Sequence, residues 1–91
     1  MITLQLKKQW YDMIFSKEKG EDYREIKPYY DKRLKSLLGQ NNVLVCFQNG
    51  YHRNARAMIC RCSVFIGQGR TDWGAENEMK LYYVLKITKI Y

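Results

Sequence analysis

"EKGEDYREIKPYY", residues 18–30, sets four acids, three bases and three tyrosines around the only proline of the chain. A solvated loop has no use for three rings, and a core strand does not tolerate seven charges. The stretch therefore reads as a junction between two helices, with a short strand in its middle. On that strand, "EDYREI", side chains alternate, so Asp22 and Arg24 share one face while Tyr23 and Glu25 take the other. Pro28 restricts Lys27 to extended backbone and so ends the strand.

The segments on either side are regular. "ITLQL" alternates with period two and puts Ile2, Leu4 and Leu6 on one face of a strand. "KKQWYDMIFSKEK" changes period, because Trp10, Met13 and Ile14 recur at helical spacing, and Gly20 serves as the helix stop. "PYYDKRLKSLLG" opens on proline, carries Tyr30, Leu34, Leu37 and Leu38 on one stripe, and closes at Gly39. Beyond it, "NVLVCFQNGY" is apolar on both faces and runs into an Asn-Gly turn. "ARAMICRCSVFIGQG" is a long strand, bent or bulged, "RTDWGAENEM" a polar loop, and "KLYYVLKITKIY" a last strand rich in β-branched and aromatic residues. The expected fold is α+β: one domain over residues 1–91, a small mixed β-barrel of about five strands, closed or nearly so, with two flanking helices.

Composition narrows the function. With 46% hydrophobic and 14% aromatic residues the chain has the material for a core. No apolar run reaches the roughly 18 residues of a membrane span, and "MITLQLKKQW" has no leader-like apolar segment, so a cytoplasmic, non-membrane protein is expected. Cys46, Cys60 and Cys62 read as buried reduced thiols. With His52 the only histidine, neither a metal site nor any cofactor is expected. The formal charge is +7, with Arg53, Arg56, Arg61 and Arg70 facing only Asp72, Glu76 and Glu78 in the second half. Such a balance favours a polyanionic partner through counterion release.

The order strand, helix, "EKGEDYREIKPYY", helix, then "FQNGY" and "WGAE…YYVLKITKIY" resembles the short single-domain proteins of the ASCH family, in the PUA-like barrel superfamily. The family pattern reads Gly-x-Lys-Thr-x-Glu-x-Arg after the first helix. "KEKGEDYR" puts Lys19 at its lysine, Asp22 at its glutamate and Arg24 at its arginine, with Lys17 at the usual glycine and Gly20 at the usual threonine. The resemblance implies a cleft beside the first helix and RNA as partner. Some relatives are acetylcytidine amidohydrolases working through a lysine, a threonine and a glutamate. Lys19 matches that lysine and Glu76 is the candidate glutamate, but the catalytic threonine would fall at Asp22, which has no hydroxyl.

Three readings follow. The first is a module binding RNA, a nucleotide or a nucleoside in a cleft of Lys19, Asp22 and Arg24, with Tyr23, Lys27, Tyr51, Arg53 and Trp73 as further ligand-binding residues. Rings such as Tyr51 and Trp73 would stack on bases, and arginines near the turns would meet phosphates. The second is a hydrolase acting on RNA or modified nucleosides, with Lys19, Asp22 and Glu76 as catalytic groups. The third is a protein-binding inhibitor module of a mobile element.

Overall fold

The computed structural model describes all 91 residues. Strand β1 (Ile2–Leu6) leads into helix α1 (Lys8–Phe15), then β2 (Glu21–Glu25), helix α2 (Pro28–Leu34) with a 3-10 turn at Lys35–Leu37, and β3 (Val43–Asn49). Strand β4 (Ala57–Gln68) follows, then a second 3-10 turn at Thr71–Trp73 and strand β5 (Leu81–Ile90). The molecule is a small α+β domain whose five strands form one curled half-barrel sheet, in the order β1-β3-β4-β5-β2, with two flanking helices. β1 runs parallel to β3, and the other three pairings are antiparallel. No helix is long and apolar enough to cross a membrane.

Alternation decides what each strand buries. Leu4 and Leu6 of β1, Val43, Val45 and Phe47 of β3, Met58, Cys60, Cys62 and Val64 of β4, and Tyr83 and Leu85 of β5 all point into the concave face. Tyr11 and Ile14 of α1 and Leu34 of α2 close over them, so the helices cover that face. The opposite face of β5 carries a second cluster, Tyr82 and Val84 with Ala75, against which Tyr23 packs. β3 is thus buried on one face only, with Leu44 exposed on the other, which corrects its reading as apolar-in on both sides.

The sheet stops short of a closed barrel, because β1 and β2 are both edges and no backbone ladder joins them. Side chains span the seam instead. Arg24, on the concave face of β2, donates through Nη2 to the Gln5 carbonyl of β1 at 3.0 Å. Arg33 of α2 donates to the Thr3 carbonyl at 2.7 Å. Two guanidinium groups thereby satisfy the outward carbonyls of an edge strand, which would otherwise be a template for another chain.

The helix ends differ from expectation. α1 stops at Phe15 rather than near Gly20, and the turn is made at Lys17, which has φ +70° and is the only non-glycine residue in the left-handed region. The Lys17 amide returns to the Ile14 carbonyl and the Lys19 amide to the Met13 carbonyl, at 3.0 and 2.9 Å. Where β4 pairs with β5, the irregularity expected in the long strand β4 falls in its partner instead. Arg61 faces Lys89 but Cys62 faces Ile87, so Thr88 is an extra residue in β5. Its hydroxyl donates to the Arg61 carbonyl at 3.0 Å.

None of the cysteines is in a disulfide. Cys60 and Cys62 are fully buried, and burial pushes their thiols up to about 11 and about 12. Cys46 lies on the outer face of β3 and is partly exposed. Iodoacetamide applied to the native protein should therefore carbamidomethylate Cys46 alone, and all three residues in denaturant, as read by intact mass. Equal labelling of Cys60 under native conditions would mean that the concave face opens readily.

Candidate functional site

Lys19 and Asp22 are the only charged residues in the protein's interior, each 3% exposed. The left-handed turn at Lys17 brings the chain off α1 and delivers Lys19 to the start of β2, beside Trp10 of the same helix. There the Lys19 ammonium lies over two rings, 5.2 Å from the Trp10 centroid and 5.0 Å from that of Tyr23. It donates one short hydrogen bond, to the backbone carbonyl of Trp73. The other two of its three N–H donors find no acceptor in the protein, and no carboxylate lies within ion-pair distance. Burial is the main cause that lowers its pKa, to about 8; Asp22 pulls it back up and Arg24 adds to the depression.

The loop that supplies the Trp73 carbonyl is fitted closely over this ammonium. Gly74 has φ +107°, and a side chain there would meet the Trp10 ring at 3.3 Å. Gly69 is tighter, since a Cβ would come within 2.9 Å of Ala75 and 3.0 Å of the Tyr23 ring. Between the two glycines, Arg70 stacks on Trp73 at 4.1 Å and pairs with Asp72 at 2.7 Å. The Arg70 amide donates to the Tyr23 hydroxyl at 3.0 Å, and that hydroxyl donates to Glu21 at 2.8 Å. Burial is the first cause that raises the Tyr23 phenol to about 12, so it stays protonated as a donor.

Asp22 and Arg24 do share the concave face, as alternation requires, but their business is with each other. Arg24 Nε meets Asp22 Oδ2 at 2.7 Å and Nη2 meets Oδ1 at 3.4 Å, with the Tyr30 hydroxyl at 3.3 Å from Nη1. Burial works against the Arg24 charge, and the Asp22 carboxylate more than offsets it, holding the guanidinium firmly protonated. Both carboxylate oxygens are occupied, and the arginine spends its remaining donors on β1 and Tyr30. This pair is a structural clamp beside the lysine.

Of the other residues singled out from the sequence, Tyr23 and Trp73 adjoin Lys19. Glu76 does not join it: its exposed carboxylate pairs with Lys80, four residues on in the same loop, at 2.8 Å. Lys27 is on the surface, over the Tyr30 ring and near Glu25. Tyr51, 86% exposed, and Arg53 belong to the β3–β4 loop and make no hydrogen bond or stacking contact with the Lys19 cluster. Trp10 was legible only as part of a helical stripe; its place as a wall around Lys19 depends on the Gly74 contact, which has no signal in sequence. No group of three histidine, cysteine or carboxylate side chains is placed to hold a metal. Neither the family models, nor the curated proteins, nor the solved structures with which the chain was compared give a match.

Proposed function

We propose that this protein is an RNA- or nucleotide-binding module of ASCH, PUA-like type, and that Lys19 is its ligand-facing charge. The observation that carries the reading is a buried ammonium without an ion-pair partner, walled by Trp10 and Tyr23 and capped by a neutral backbone carbonyl. An uncompensated cation in such a place is costly unless it is kept for something. A ligand oxygen would accept from the two idle N–H donors of Lys19, and a base could stack on the Trp73 ring by displacing Arg70, which covers it at 4.1 Å. The left-handed backbone at Lys17 adds support, because the ASCH pattern has glycine at that position. The net charge of +7 supplies long-range attraction for a polyanion.

Titration of fluorescently labelled single-stranded and structured RNA at two salt concentrations tests the reading. Affinity should fall with salt by about 0.7 log units per log unit for each phosphate neutralised on a single strand. Lys19→Met should weaken binding by about tenfold to a hundredfold, the worth of a charge-assisted hydrogen bond of roughly 1.5–3 kcal/mol. Wild-type protein that binds no RNA at low salt, or a Lys19→Met variant that binds as well as wild type, rules it out.

One observation favours a second reading. An amine brought to about 8 by burial is suited to proton transfer near neutral pH, as a hydrolase acting on acylated nucleosides or RNA would need. Against it, both Asp22 oxygens are held by Arg24, and Glu76 lies outside the cluster. Incubation with acylated cytidines and RNA, followed by mass spectrometry, decides between binding alone and turnover.

A further inference from the structure

Two backbone irregularities of this chain meet at one groove. The left-handed Lys17 closes one side, and the stretch of β5 containing the extra residue Thr88 forms the other. The groove has a volume of about 430 Å³ and is lined also by Ile14, Ile87, Ile90 and Lys89. Its floor is aliphatic, formed by the partly exposed Ile87 and Ile90, which pack on the core beside the completely buried Ile14. Its two sides each carry a lysine, Lys17 and Lys89, and neither pairs with a carboxylate. Beside Lys89, whose ammonium lies 4.8 Å from the Tyr91 centroid, the Tyr91 ring is 61% exposed, although its backbone is anchored by an amide bond to the Ile59 carbonyl.

We infer that this groove seats one nucleotide, with the phosphate between Lys17 and Lys89 and the base over the isoleucine floor and toward Tyr91. The inference rests on the nucleotide-binding reading and extends it to a second contact region. Lys19 connects the two, since it lines the groove while its ammonium reaches away to the Trp73 carbonyl. Left-handed backbone at a side chain with a Cβ is unfavourable, and a bulge re-aims the residues next to it. Both distortions fall where they set the direction of a lysine. A glycine at position 17 would make the same turn without strain, so the retained side chain points to a use for its charge. The chemistry offered is an aliphatic floor, the exposed Tyr91 ring beside it and two ammonium groups without carboxylate partners, which fits a phosphorylated nucleoside.

That nucleotide could be free or part of a strand, and two probes separate the sources: uridine 5′-monophosphate, and a labelled oligouridylate of about ten nucleotides. Amide shifts at Lys17, Thr88 and Lys89 would follow the first by NMR, and anisotropy the second. Lys17→Gly with Lys89→Gln should weaken oligouridylate binding about tenfold at low salt and flatten its salt dependence by about 0.7 log units per log unit, the share of the one phosphate held between them. Lys17→Gly alone should melt above the wild type while still losing affinity, which separates a binding role from damage to the fold. Groove shifts with the monophosphate, and its competition with the strand, identify a free nucleotide as sufficient; binding of the strand alone assigns the groove to a nucleotide within it. Unchanged affinity and salt slope in the double variant overturn the groove, and if Lys19→Met loses binding in the same assay the nucleotide-binding reading survives. A wild-type protein indifferent to both probes removes both.

Discussion

Replacing Asp22 by alanine should lower the unfolding free energy by about 3–5 kcal/mol, the cost of breaking a buried ion pair and leaving one charge behind. The Asp22 and Arg24 side chains are only 5% and 12% exposed, so solvent cannot take the place of the carboxylate. The damage extends beyond the pair. Arg24 is also the donor to the Gln5 carbonyl, so an arginine released from Asp22 loosens the bridge from β2 to β1. For a domain of this size, with a total stability of about 5–15 kcal/mol, the variant would sit near the threshold of folding. Urea unfolding of Asp22→Ala, Arg24→Met and the double variant measures this. The double should lose much less than the two singles together, because it leaves no orphaned charge. An Asp22→Ala loss below about 1 kcal/mol would identify the pair as solvated, since that is the range for exposed salt bridges.

The second large effect concerns pH. In the folded protein burial brings the Lys19 amine to about 8, against 10.5 for the free side chain. Below pH 8 both states are protonated and the folded state carries the full penalty of the buried charge. Between about pH 8 and 10.5 the unfolded chain holds a proton that the native protein has released, so rising pH favours the native state. The shift corresponds to roughly 3 kcal/mol at 1.36 kcal/mol per unit. Other groups act oppositely. Burial holds Cys60, Cys62 and Tyr23 protonated to about 11, 12 and 12, so each takes stability away as pH rises through its unfolded value toward those figures. The comparison with Lys19→Met cancels them. Between pH 7 and pH 11 the wild type should gain roughly 3 kcal/mol on the variant in denaturant titrations. Parallel curves would show that the ammonium is hydrated, and the charge that carries the proposed function would then be an ordinary surface lysine.

The strand content could be read from the sequence because alternation is a local property. The shared face of Asp22 and Arg24 and the inward pair Cys60 and Cys62 follow from neighbours in the chain, whereas the extra residue of the β4–β5 pairing falls at Thr88 of β5 and not in the long strand. Helix ends were less legible. Lys17 has ordinary helix propensity, and only the folded turn forces it into left-handed backbone, so Gly20 drew the boundary away from Phe15. Where the small barrel stays open was not legible for a related reason. Whether β1 and β2 meet depends on what occupies the seam, and Arg24 and Arg33 fill it with side chains. In the site, Lys19 beside Tyr23 and Trp73 was within reach of pattern reading, but Glu76 had a closer partner in Lys80, four residues away. Trp10 could be placed at the lysine only by the loop that folds back from Gly74.

The strand order also says when the molecule can come together during synthesis. Of the five strands, the two made first have no native neighbour among residues already translated: Ile2 aligns with Val45, and Glu21 waits for Lys86. Such distant pairings impose a high contact order, which slows folding. A nascent chain on the ribosome would therefore carry its first 42 residues unpaired, then add the β3–β4 hairpin, and could enclose Lys19 only once β5 had left the exit tunnel.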